Sequence, residues 1–168
     1  MQVLYILLGA LFTYLSLWAL EGQKNKHVRK EKERNFILFI RQELLSFSKG
    51  VDRLKNIFGQ KNWFDLMTVG QLEKNLQNME SQRKESIYLR SQNLQEEFAD
   101  LITESANILT GIRFLESNYL ETIEKNKTSK QNNDFKDTVN FINQRRTLNL
   151  IDLIEIQRKI SEYLKKIS

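Results

Sequence analysis

The chain has 168 residues, with 26 basic against 21 acidic side chains, no cysteine, no proline and a single histidine. The absence of cysteine excludes disulfides, thiolate nucleophiles and Cys-ligated metals, and one histidine excludes a multi-His centre within a single chain. With no proline and only six glycines, long unbroken helices are favoured over a loop-rich sandwich or barrel.

The first element in chain order is an uncharged run. Residues 2–20 hold no charged side chain, and Val3–Leu20 reads VLYILLGALFTYLSLWAL. As a helix this stretch would rise roughly 27 Å, close to the thickness of a thin hydrocarbon core. It predicts a transmembrane anchor over residues 1–21, with Tyr5, Tyr14 and Trp18 suited to interfacial positions. A cleaved secretory signal is the rival reading. Such a signal begins with a basic segment, which is missing here, and Leu17 stands where cleavage after Ala19 would want a small residue.

Residues 22–35 then form a basic juxtamembrane linker. Lys24, Lys26, Arg29, Lys30, Lys32 and Arg34 outweigh Glu31 and Glu33, whereas no Lys or Arg precedes the apolar run. Cytoplasmic flanks are enriched in Lys and Arg. That asymmetry predicts a single-pass protein of an inner or plasma membrane, N-terminus outside and C-terminal domain cytoplasmic. The same cations would suit anionic headgroups. His27, within this charged stretch, reads as a solvated side chain.

Residues 36–168 read as a helical bundle domain. Ile37, Ile40, Leu44, Phe47, Val51, Leu54 and Phe58 alternate steps of three and four, the signature of a helical seam. Nothing between the apolar run and this seam breaks a helix. Gly59–Asn62 reads as a turn, and Trp63 and Phe64 after it are either a partner anchor or the cap of a core. Thr68 and Gln71 fit a capping box opening a second, shorter helix. Residues 80–86, ESQRKES, fit either an exposed helix or a joint.

From Ile87 a second seam runs through Leu94, Phe98, Leu101, Ile108, Ile112, Leu115 and Tyr119, widened by Ile102, Leu109, Leu120 and Ile123. A widened face implies two neighbours, as in a bundle. Gly111 weakens this helix by about 1 kcal/mol unless a neighbour approaches it closely. KNKTSKQNND at 125–134 reads as a loop, and its sequon at Asn126 carries little weight. The last helix carries Phe135, Val139, Ile142, Leu153, Ile156, Ile160, Tyr163 and Ile167 in register, interrupted by Arg146 and Asn149. Polar residues on a seam can fix register or partner choice; the alternative is a shift of the seam onto Leu150 and Ile154.

Charge alternates in blocks: net +6 over 22–58, −5 over 59–124 and +5 over 125–168, as antiparallel neighbours with complementary edges require. Glu96, Glu97, Asp100 and Glu104 resemble a di-metal spacing, but the Glu-x-x-His motifs that complete such sites are missing, so they read as a solvated acidic face. There is no phosphate loop and no nucleophile elbow. The basic residues lack interleaved aromatics or a reading motif, so no specific nucleic acid is expected.

Together these readings predict an all-α chain: an N-terminal single transmembrane helix continuing into an antiparallel helical bundle or coiled-coil domain of three or four long helices. The expected role is a membrane-anchored, non-catalytic helical scaffold or adaptor for protein–protein interaction or self-assembly. Two alternatives are a signal-transducing sensor component using helix shifts, and a secreted or envelope-facing helical factor with a cleaved or inverted N-terminal segment. Expected partners are membrane lipid, through anchor and headgroups, and a protein or second copy through the helical seams. Trp63, Phe64, Arg146 and Asn149 are the candidate partner-binding residues; no catalytic residue, metal or cofactor is expected.

Overall fold

The computed structural model describes the backbone of residues 2–59, 66–128 and 132–167, and the side chains of residues 12–57, 67–122, 124 and 137–167. The described chain is all-α. Helix α1 spans Gln2–Gly59, α2 Leu66–Ser81, α3 Gln92–Thr128 and α4 Asn132–Lys166, with a short 3-10 helix at Arg83–Tyr88 between α2 and α3. There is no sheet among the described residues.

The first seam becomes the α1 side of the core. Phe36, Ile40, Leu44, Phe47, Val51 and Leu54 are buried, each three or four residues from the last, so they share one face. Val69, Leu72 and Met79 of α2, Phe98, Leu101, Ile102, Leu109 and Ile112 of α3, and Leu153, Ile156, Ile160 and Tyr163 of α4 close one continuous cluster with them. α1 packs against α2 and α4, and α3 against α2 and α4, so α1 and α3 lie on a diagonal. The diagonal is bridged by the rings of Phe36 and Phe98, edge to face at 5.8 Å between centroids. Phe98 in turn stacks on Tyr163.

Neighbouring helices run antiparallel. Gly50 meets Leu72 while Glu43 accepts from Asn78 at 3.3 Å, so α2 returns along α1. Arg90 pairs with Glu33 at 3.0 Å, placing the start of α3 beside the point where α1 joins the bundle. Lys159 binds Glu104 at 2.6 Å and Lys166 binds Glu97 at 2.7 Å, the α4–α3 complementarity that the alternating charge blocks require. Two of the four carboxylates of the acidic run on α3, Glu97 and Glu104, are thereby held by lysines of α4. No metal-holding group of His, Asp and Glu occurs among the described residues.

The expectation of a membrane anchor is overturned. Among the described residues no helix is long and apolar enough to cross a membrane. The described part of the apolar run is Phe12–Leu20, nine residues before Glu21, which rises about 14 Å and covers roughly half of a hydrocarbon core. The side chains of residues 3–11 lie outside the described ones. The transmembrane anchor expected over 1–21, the single-pass topology with its N-terminus outside, the juxtamembrane role of residues 22–35 and the lipid partnership are corrected accordingly. So are the membrane-anchored scaffold and the sensor and inverted-factor alternatives that leaned on the same segment.

Several local expectations are also revised. Thr68 is not a helix cap; it is buried two residues inside α2. Residues 80–86 are a joint in two parts, where α2 ends at Ser81 and the 3-10 turn begins at Arg83. The loop at 125–134 is shorter than its polarity implies, because α3 continues to Thr128 and α4 starts at Asn132. Leu120 faces solvent rather than widening the core. Most described seam residues are buried within the one chain, while Ile37 and Leu94 are only half-buried.

Candidate functional site

α1 is longer than the bundle it serves. From residue 12 to residue 35 every described side chain except Glu33 is exposed, and burial begins at Phe36. Residues 12–32 therefore form a projecting arm of about 32 Å. Its outer part is apolar on all sides, with Phe12, Tyr14 and Trp18 each more than two-thirds exposed. Its inner part carries the basic cluster.

A groove of about 560 Å³ opens where this arm meets the bundle. Three stretches distant in sequence build it: Lys30 to Leu38 of α1, Leu89 to Leu94 around the start of α3, and Lys166 with Ile167 at the end of α4. Its floor is apolar. Leu89 and Ile167 are buried, Ile37 and Leu94 are half-buried, and Leu38 remains 55% exposed. Lys30, Arg34, Arg90 and Lys166 surround that floor, and Glu33 is the single carboxylate among the lining side chains. A second hollow of about 470 Å³ continues along α1, lined by Lys26, Arg29, Lys30, Glu33 and Arg90.

The charge of this region is uncompensated. Glu33 is engaged by Arg90 at 3.0 Å, and Lys166 is engaged by Glu97 at 2.7 Å. Among the described residues, none of Lys26, Arg29, Lys30 and Arg34 is in an ion pair. Four free cations beside an apolar floor suit a ligand that is both anionic and apolar. Lys32 points elsewhere on α1 and donates to the Tyr88 hydroxyl at 2.9 Å. That bond raises the pKa of the ammonium.

A smaller hollow of about 210 Å³ between α3 and α4 makes an instructive contrast. Glu97, Asp100, Glu104 and Glu162 line it together with Lys159 and Lys166. Each lysine already holds both oxygens of one carboxylate, so neither cation is left over for a ligand.

No family model, no curated protein and no solved structure matches the chain. The functional reading rests on the geometry.

The residues singled out from sequence separate in space. Lys30 and Arg34 line the groove and Lys26 and Arg29 its extension, while Lys24 lies further out on the exposed arm. Trp63 and Phe64 lie outside the described residues. Arg146 and Asn149 are half-buried on α4. Leu153 beyond them is buried, Ile154 is exposed and Leu150 is half-buried against the core, so Asn149 and Leu150 share this stretch of the contact. Asn149 sits against Gly111 of α3, its amide oxygen 3.4 Å from where a glycine-replacing Cβ would stand. Its buried Nδ2 finds no acceptor among the described residues.

Leu89, Arg90 and Leu94 were not candidates from sequence. Leu94 is a seam position in the sequence, and Arg90 only one charge of the 59–124 block. Their partnership with α1 depends on the 3-10 turn that brings the start of α3 back to Glu33.

Proposed function

We propose that this chain is a non-catalytic binding module whose groove, at the root of the α1 arm, captures an acidic, amphipathic segment of a partner protein. The observation that supports this reading is the juxtaposition of Lys30, Arg34 and their unpaired neighbours with an exposed apolar floor. An acidic helix with one apolar face meets both requirements, since its carboxylates reach the cations while its apolar side chains cover Leu38 and Leu94. The arm extends the same surface and offers more apolar area beyond it.

The test is a fluorescence anisotropy titration of the full chain against a labelled amphipathic peptide built from leucine and glutamate. Binding is expected to weaken as salt rises. Replacing the peptide's glutamates by glutamines, or introducing Lys30→Glu with Arg34→Glu, is expected to reduce affinity by about tenfold or more. Equal affinity for acidic and neutral peptides would sink the proposal.

A further inference from the structure

The hollows along α1 differ at their two ends. At the bundle end Ile37, Leu38, Leu89, Leu94 and Ile167 make an apolar floor. At the arm end no apolar side chain lines the wall, which consists of Lys26, Arg29, Lys30, Glu33 and Arg90. Lys26 and Leu38 stand twelve residues apart on one helix, about 18 Å, so a single helical occupant of about four turns spans both ends.

The lining charges divide the same way. Glu33 is matched by Arg90, and Lys166 at the bundle end by Glu97. The cations left over among the described residues are Lys26, Arg29, Lys30 and Arg34, all on the arm side of Ile37. Glu21 and Glu31, the other carboxylates of the arm, line neither hollow, and neither does Lys165 near the end of α4. Glu31 lies about 100° round the helix from Lys30. The start of α3 and the end of α4 both border the bundle end, where their opposite dipole poles offset each other. Unmatched positive charge therefore rises from the floor toward the arm.

We infer that the captured helix lies antiparallel to α1, its N-terminal half apolar over Leu38 and Leu94 and its carboxylates gathered in the C-terminal half against Lys26, Arg29 and Lys30. The orientation presupposes the groove reading proposed above and narrows the partner to a segment of that polarity. A helix carries its own negative pole at the C-terminus, where the last carbonyls lack backbone partners. Side-chain charge and dipole then both meet the free cations. The reverse orientation would bring the segment's positive pole to the same four cations.

The test titrates the full chain with two leucine–glutamate peptides of about 14 residues, roughly 21 Å as helices. They share one composition, are blocked at both ends and are held helical by a hydrocarbon staple on the solvent face. One carries its glutamates in the C-terminal half, the other in the N-terminal half. The first is expected to bind at least about fivefold tighter. Lys26→Gln with Arg29→Gln, both exposed positions, is expected to bring the two affinities within about twofold of each other while binding persists on the floor. The chain has no cysteine, so Gln23→Cys at the exposed arm end reports direction as well. It is expected to form a disulfide faster with a cysteine at the C-terminal end of the first peptide than with one at its N-terminal end. Equal affinities, or faster linking through the N-terminal cysteine, would overturn the polarity and leave the groove reading standing. Failure of both peptides to bind would overturn the groove reading and the polarity together.

Discussion

Two mid-helix glycines sit at two helix crossings, and the crossings are opposites. At the α1–α2 crossing a Cβ on Gly50 would stand 2.6 Å from Leu72 Cδ2 and 3.1 Å from its Cγ. Leu72 is wholly buried, so it has nowhere to move. At the α3–α4 crossing a Cβ on Gly111 would meet only the Asn149 amide, at ordinary contact distance. Each glycine carries the same propensity cost of about 1 kcal/mol relative to alanine. At Gly50 that cost is offset by close approach of an apolar side chain; at Gly111 it is offset by nothing of comparable size. One crossing is shaped around its glycine and the other merely contains one.

That contrast predicts opposite responses to one substitution. Gly50→Ala is expected to destabilise the bundle by about 1–3 kcal/mol, the usual range for overpacking a filled core. The measurement is the urea midpoint at constant slope. Adding Leu72→Ala to that variant should cost less than Leu72→Ala alone, because the two side chains compete for one space. An unchanged midpoint in Gly50→Ala would show that α1 and α2 separate easily, and the contrast would fail. Gly111→Ala is expected to stabilise by about 0.5–1 kcal/mol through helix propensity, raising Tm by roughly 1–4 °C for a chain of this size. A loss of stability would mean that the Asn149 amide is held more tightly than its unpaired Nδ2 implies.

The smallest effect links the two crossings. Glu73 follows Leu72 on α2 and holds Arg113, two residues beyond Gly111, through two bonds of 2.7 Å. Arg113 also donates to Glu116 at 3.0 Å. The guanidinium holds the Glu73 carboxyl below its ordinary value of 4.5. A carboxylate whose folded pKa is depressed contributes above its unfolded pKa and loses that contribution as pH falls through the folded one. Stability should therefore decline below about pH 4.5 on this account, and Glu73→Gln should flatten that part of the acid limb. Because both side chains are more than one-third exposed, the difference should be only a few tenths of a kcal/mol. Parallel acid limbs for parent and variant would remove the pair from the α2–α3 contact.

The sequence made one half of this molecule easier to read than the other. Alternating steps of three and four from Ile40 to Leu54 mark the α1 core face, because side chains at that spacing share a side whatever they pack against. The alternating charge blocks likewise anticipate Lys159 with Glu104 and Lys166 with Glu97. What periodicity does not encode is which segment lies across the way. Gly50 looks like any helix glycine until Leu72 is seen against it. The groove depends on Leu89 and Arg90 arriving beside Arg34 from more than fifty residues away. Composition alone was also misleading for the apolar run, whose described portion is too short to span a bilayer and whose basic flank borders a groove.

Tyr163 has a consequence outside binding and stability. Its hydroxyl donates to the Leu94 carbonyl at 3.1 Å, and burial, with Glu97 nearby, pushes its ionisation well above the ordinary phenol range. The chain holds five tyrosines, so its alkaline absorbance difference spectrum contains a built-in optical gauge. While α3 and α4 remain packed, this phenol keeps its proton and its ultraviolet band stays in place. When they part, the phenolate band appears, so the opening of the bundle can be timed by its own chromophore without a label.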